Sequence, residues 1–289
     1  MTVNWRTLIV LSCGLALGAS VAEAQSRRRP PSKSYAPIGL PDQAEGARIL
    51  EASRQIGFGD SFHLEIELRL LPRRGAEVRM PGRWMGTSTA SGPITRLEVF
   101  PENAAPEIWI IQGGTRPQAW RRGPDGRTIA VDDPTATIAG SQVSAADMQT
   151  PFMRWDEFTY EGMTRFGSRP THVFLLYPPE AEAGRYPGIG GVRAFIDTQF
   201  SALSQVQWVD ERGEALKTIT AGSVRKVPGV ERWIVATLDV RDEQTRDKTR
   251  IVIRAAALDL PMPAELFLPD DTLERSTLDV PEDALHRFN

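Results

Sequence analysis

The run Phe62-His63-Leu64-Glu65-Ile66-Glu67-Leu68-Arg69-Leu70 decides the fold class. Phe62, Leu64, Ile66, Leu68 and Leu70 alternate strictly with His63, Glu65, Glu67 and Arg69. A period of two puts the apolar side chains on one face of a strand and the polar ones on the other. The segment therefore predicts a strand with one buried and one wet face, and such a strand needs neighbours. Downstream, strand-like runs occupy 75–80, 83–89, 94–100, 107–112 and 118–122, broken by Gly and Pro. Pro124, Asp125 and Gly126 make a turn, because proline fixes one dihedral and glycine supplies a positive one. Further runs occupy 171–177, 191–200, 202–210, 214–220, 231–240 and 248–257. The links Glu211-Arg212-Gly213 and Glu243-Gln244-Thr245 are short enough for hairpins, so the sheet is expected to be antiparallel.

Upstream of the first strand the period changes. Asp42 followed by Glu45 reads as a capping box. Ala44, Ala47, Ile49, Leu50, Ala52 and Ile56 then follow a helical spacing that stops at Gly57 and Gly59. Residues 133–165 show no alternation. They predict a loop with one or two short helical turns, around Ala145-Ala146-Asp147-Met148 and Pro151-Phe152-Met153-Arg154-Trp155. Residues 258–268, punctuated by Pro261 and Pro263, are expected to lie across a sheet edge. One helix and a few turns cannot cover the apolar side of so many strands. The expected fold is mainly β, of α+β type: a strongly curved antiparallel sheet wrapped around those helical pieces, with room left for a ligand.

The chain ends differ from the middle. Arg6 precedes an apolar stretch of Leu8, Ile9, Val10, Leu11, Leu15, Ala16 and Leu17, and Ala22-Glu23-Ala24 follows. This is the pattern of a secretory signal peptide over 1–24, cleaved after Ala24. The alternative, lipid modification of Cys13, would follow Val10-Leu11-Ser12, a poor lipobox. Cys13 is the only cysteine, so the mature chain has no disulfide and no thiol chemistry. Residues 25–40, rich in Arg, Pro and Ser, predict a disordered linker. One domain is expected over 41–270, followed by a charged, frayed tail at 271–289.

The chemistry-bearing residues are sparse. A net charge of −3 over 289 residues, with the basic run Arg27, Arg28 and Arg29 beside prolines, gives no cationic face for nucleic acid. His63, His172 and His286 stand apart, without metal-ligand spacing. No nucleophile elbow occurs, and Gly188-Ile189-Gly190-Gly191 precedes a strand, not a helix. The reading is non-enzymatic, with no metal, no cofactor and a monomeric state. Trp84, Trp109, Trp120, Trp155, Trp208 and Trp233 span the mature chain, and each reads either as ordinary core or as the wall of an apolar cavity.

The order of several weak motifs carries a resemblance. Asp147-Met148-Gln149-Thr150-Pro151-Phe152-Met153-Arg154-Trp155 leads into Phe158-Thr159-Tyr160-Glu161-Gly162. Then come Ala194-Phe195-Ile196-Asp197, the hairpin Asp210 to Lys217 with a D-x-x-G-x-x-x-K pattern, and Lys226-Val227-Pro228-Gly229. Asp239-Val240-Arg241-Asp242 and Thr245 to Arg250 complete the series. Over roughly residues 60–270 the chain resembles the outer-membrane lipoprotein-sorting family, the LolA-like periplasmic carriers. The resemblance implies an unclosed half-barrel with an N-terminal helix and short helical lid segments on its concave face. It also implies a periplasmic carrier that shelters acyl chains of lipoproteins or other lipids for transfer towards the outer membrane, and an inner-membrane transporter or membrane protein as a further partner. Phe62, Leu64, Ile66, Leu68, Trp84, Leu97, Val99 and Trp109 are the candidate lining. Ile49, Leu50, Phe152, Met153 and Trp155 are the candidate lid. LolA-type carriers hold the lid with an arginine on the sheet, and Arg79, Arg83 and Arg96 are the candidates by strand position. The alternative function is a non-enzymatic envelope adaptor that grips a protein partner with the same fold.

Overall fold

The structure is a computed structural model that describes residues 35–54, 61–123, 125–230, 232–270 and 277–288. The expected signal segment 1–24, Cys13, residues 25–34 of the linker and the helix stop at Ile56, Gly57 and Gly59 lie outside the described residues. Helix α1 (Gln43–Arg54) comes first, and Asp42 caps it by accepting from the Ala44 and Glu45 amides. Six strands follow: β1 (Ser61–Leu71), β2 (Val78–Thr89), β3 (Gly92–Val99), β4 (Glu107–Gln112), β5 (Gln118–Arg122) and β6 (Thr128–Ala130). Residues 131–157 hold the short helix α2 (Ala145–Gln149) and a 3-10 turn, Pro151–Arg154. Next come β7 (Phe158–Phe166), β8 (Arg169–Leu176), β9 (Gly191–Asp197), β10 (Leu203–Val209) and β11 (Ala215–Ala221). A separate hairpin, β12 (Val224–Val227) and β13 (Arg232–Val235), interrupts the series. The chain finishes with β14 (Thr237–Asp242), β15 (Lys248–Leu258), a 3-10 turn at Ala264–Phe267 and β16 (His286–Arg287).

The main sheet is antiparallel throughout and unclosed, in the order β6-β5-β4-β3-β2-β1-β15-β14-β11-β10-β9-β8-β7. It consists of two meanders. One runs outward from β1 to β6, the other inward from β7 to β15, and β1 and β15 zip together along a central seam from Phe62↔Leu258 to Leu71↔Lys248. Residues 131–157 must therefore travel from one free edge to the other. β16 pairs with the upper part of β15, at Ala255 and Ala256, beyond the reach of β14.

Alternation sorts the two faces. Across β1 to β4, Leu64↔Trp84↔Leu97↔Trp109 form one inner row. His63↔Met85↔Arg96↔Ile110 form the adjacent outer row. The inner side of this half belongs to a cluster of Leu64, Ile66, Leu68, Leu97, Val99, Trp109, Val240, Ile251 and Ile253. A second cluster covers the inner side of the other half, with Tyr160, Phe174, Leu176, Ala194, Ile196, Val206 and Trp208.

Five expectations are corrected. The runs at 75–80 and 83–89 form one strand, β2, despite Pro81. The Pro81 carbonyl faces β3, accepting from the Phe100 amide, so its donor-less nitrogen also faces that side, past the last β3 pair at Gly82↔Val99. The last residues of the expected loop 133–165 are the edge strand β7. The run at 231–240 splits at the buried Ala236 into β13 and β14. Residues 258–268 do not lie across an edge: Leu258 ends β15, and Leu266 and Phe267 pack on Ile94, Ile108 and Ile110 of the outer face. The first described residues, at the end of the expected linker, are also tied down. Ile38 donates to the Met163 carbonyl (2.6 Å), and Thr164 Oγ1 donates to the Ala36 carbonyl (2.9 Å), so residues 35–38 are strapped to β7.

That strap covers a buried charge. Arg193 Nε donates to Glu161 Oε2 at 2.8 Å, and the Tyr35 hydroxyl donates to the same oxygen at 2.7 Å. Both charged side chains are almost wholly enclosed. The Tyr35 ring stands edge-on to Phe195 and under the Arg193 guanidinium. A buried ion pair recovers its dehydration cost only when the remaining lone pairs are also satisfied, and Tyr35 contributes there.

Candidate functional site

All eight candidate lining residues fall in one place. Leu64, Ile66, Leu68, Leu97, Val99 and Trp109 belong to a single cluster, with Phe62 and Trp84 packed against it. Phe62 and Trp84 stand edge to face at 5.7 Å. The five lid candidates also come together, but over the other half of the sheet. Leu50, Phe152 and Trp155 sit in the cluster of β7 to β10, with Ile49 and Met153 against it. The lining and the expected lid therefore do not face each other. Ile138, Val143 and Ala145, with Met148 packed against them, cover the lining instead, and Val227 of β12 joins from the hairpin. Sequence reasoning missed these because the segment 133–144 has no periodicity, and only its position between the two edges marks it as a cover.

The expected hollow is closed. The six clustered lining residues are at most 7% exposed, and Ile138, Phe152 and Val227 are fully buried against the two inner clusters. The irregular segment 131–157 fills the space that too few helices were expected to leave. Helix α1 fits closely because Gly46 meets β7 without a side chain, where a Cβ would stand 2.5 Å from the Tyr160 ring.

Polar ties hold the lid segment. Ser144 and Asp147 form a capping box on α2, in which the Ser144 amide donates to Asp147 Oδ2 at 2.8 Å. Lys217 Nζ, on the inner face of β11, donates to the same Asp147 oxygen at 2.8 Å. The Gln142 amide donates to Thr249 Oγ1 (2.8 Å), and the Ala139 amide to Glu107 Oε1 (3.0 Å). Arg54 of α1 reaches the Met153 and Trp155 carbonyls, each at 2.6 Å. Thr150, between α2 and the 3-10 turn, has φ +46°, and Ala139 has φ +49°. Residues other than glycine adopt that region only under tertiary constraint.

The arginine candidates are corrected. Arg79, Arg83 and Arg96 all occupy the outer face, opposite the lid. Arg79 pairs with Glu77, Arg83 with Glu98, and Arg96 with Glu98 and the Leu266 carbonyl. Lys217 is a sheet cation that does reach the segment 131–157. The D-x-x-G-x-x-x-K motif had already singled it out, as part of the hairpin from Asp210.

Three aromatic side chains meet beneath the lid. Trp155, Tyr186 and Trp208 contact one another at ring separations of 5.7 to 6.4 Å. Trp155 Nε1, the Tyr186 hydroxyl and Trp208 Nε1 are buried and have no hydrogen-bond partner among the described residues. Burial pushes the Tyr186 hydroxyl up to about 12, so it stays a protonated donor.

The histidines sit apart. His63 is buried on the outer face, and His172 Nδ1 lies 2.9 Å from the Tyr160 hydroxyl. Among the described residues no three His, Cys, Asp or Glu side chains gather to hold a metal, and no helix is long and apolar enough to cross a membrane.

Solved structures share this architecture. An outer membrane lipoprotein-sorting protein domain from Vibrio parahaemolyticus superposes with a TM-score of 0.68 at 15% identity, over 78% of this chain and 97% of that one. A DUF1329 family protein from Desulfovibrio piger gives 0.67 at 10% identity, over 78% and 96%. A LolA superfamily protein from Nitrosomonas europaea gives 0.57 at 16%, over 80% and 98%. No curated protein matches the chain. At these identities the likeness is one of fold: the chain shares the architecture of these lipoprotein-sorting, DUF1329 and LolA superfamily proteins. A family model described as "Uncharacterized protein" matches residues 125–275, more than half the chain, and the chain belongs to that family.

Proposed function

We propose that this protein is a periplasmic carrier that takes acyl chains of lipoproteins or other lipids between the sheet and the segment 131–157. The observation that carries this reading is an apolar inner face sealed by an irregular segment whose ties include the salt bridge from Lys217 to Asp147. In this reading the segment 131–157 and the acyl chains occupy the same inner face in turn. Each methylene that replaces a lid side chain against the sheet gains about 0.8 kcal/mol, so an acyl chain of ordinary length can compete with the lid for the same surface. Trp155, Tyr186 and Trp208 offer hydrogen-bond donors to a lipid carbonyl. Export through the segment 1–24 and transfer to an outer-membrane acceptor belong to the same proposal, with the chain acting as a binder and not as an enzyme.

The experiment is extraction of the purified protein followed by mass spectrometry, together with uptake of a fluorescent fatty acid by wild type and Lys217→Met. Co-purifying lipid, and faster uptake by the variant, are expected. Absence of lipid together with no uptake by either protein sinks the carrier reading. It would favour the adaptor, which needs no interior and which the filled interior also suits.

A further inference from the structure

The hairpin β12–β13 has two faces of different character. Its register pairs Val224 with Val235 and Lys226 with Trp233, which places these four on one side. Val227, Ile234 and the turn residue Val230 turn the other way. Val227 is fully buried in the cluster that holds the lining, and Ile234 and Val230 pack against it. The core-facing side fixes the hairpin, and its outward side is held open to solvent. Trp233 is 58% exposed there and Val224 37%. Lys226 is exposed beside them, whereas Arg225, paired with Ile234, is exposed on the opposite side, its guanidinium 5.9 Å from the centre of the Phe288 ring. Arg232 is paired with Asp259. In sequence, residues 221–235 carry Arg225, Lys226 and Arg232 against the single acid Glu231, within a chain whose net charge is −3. An exposed indole beside a lysine, on a hairpin of net positive sign within a chain of opposite overall sign, is a local arrangement.

We infer that the outward face of this hairpin docks on an anionic phospholipid bilayer. An indole prefers the headgroup level, where its ring leaves water and its N–H keeps a partner. Lys226 beside it meets lipid phosphates, Arg225 on the hairpin's other side adds to the same local positive field, and each basic group near such a surface strengthens attachment several-fold. The charge complementarity selects an anionic membrane over a neutral one. The docking face does not depend on whether the interior accepts acyl chains.

The test uses the full chain and vesicles of phosphatidylethanolamine with phosphatidylglycerol, some carrying bromine on the acyl chains. Sedimentation reads attachment, and bromine quenching reads the depth of tryptophan. Attachment to the anionic vesicles is expected to exceed that to phosphatidylcholine alone. It is expected to weaken on the order of twentyfold in Arg225→Glu/Lys226→Glu, and part of the quenching is expected to vanish in Trp233→Phe. Quenching unchanged in Trp233→Phe, or attachment unchanged in the double variant, overturns the inference. So does an equal loss of attachment in Ile129→Ser, an exposed apolar site on β6. Cross-linking of the hairpin to a protein without vesicle attachment also overturns it, in favour of a protein partner.

Discussion

At the scale of single residues, Gly46 trades local stability for contact. Alanine in place of glycine gains roughly 1 kcal/mol within an isolated helix. In this protein a Cβ at 46 collides with Tyr160, so α1 must lift from β7. Gly46→Ala is expected to lower stability by about 1 to 3 kcal/mol, read from urea unfolding. A stabilised variant would show that the helix sits more loosely. His63 makes a second case. Burial, then the nearby Arg83, hold its pKa below the ordinary imidazole value. The unfolded chain thus binds the proton more readily than the folded one, and stability falls as pH drops through the imidazole range. His172, also lowered by burial, adds in the same direction. Between about pH 7 and about pH 5 the loss of urea midpoint is expected to be smaller in His63→Leu than in wild type. Equal losses would show that the imidazole is solvated.

At the scale of elements, the edge of β7 is guarded by a side chain. Gln43 Nε2 donates to the Tyr160 carbonyl (2.8 Å), and Gln43 Oε1 accepts from the Tyr160 amide (2.9 Å), which is how a neighbouring strand would pair. An uncovered edge is a template for another chain. Gln43→Ala is expected to form dimers or larger species at high concentration, measured by light scattering, and a variant that stays monomeric counts against the guard. β7 also shows where the sequence stopped being legible. A bulge between Tyr160 and Gly162 breaks its alternation, with Gly162 at φ +98°. The unbroken β1 was readable from its own residues, as were the inward-facing apolar side chains that β1 to β4 place in register. The lid could not be read, because Ile138 and Val143 acquire their burial from a crossing that only the topology defines. The latch was half legible: Lys217 stood in a recognised motif, but a cation at the end of a hairpin gives no sign of what it reaches across the sheet.

At the scale of the whole molecule, strands and cover differ in how firmly they are held. The seam strands β1 and β15 are paired along their length, whereas the segment between the edges rests on side-chain ties and strained backbone at Ala139 and Thr150. Amide hydrogen exchange is expected to open 139–150 at a markedly lower free energy than β1 and β15, and Lys217→Met is expected to widen the gap. Uniform protection would mean that the cover is part of the global unit. Pairing of the first long strand with the last has a further consequence for how the chain is made. Most pairings elsewhere join neighbours in sequence, but the seam joins residues nearly two hundred positions apart, the costly long-range closure that slows folding. A polypeptide emerging N-terminus first therefore cannot finish its sheet until Lys248–Leu258 has appeared. Until then the two meanders stay unjoined, each with the strand edge that should meet the other left bare.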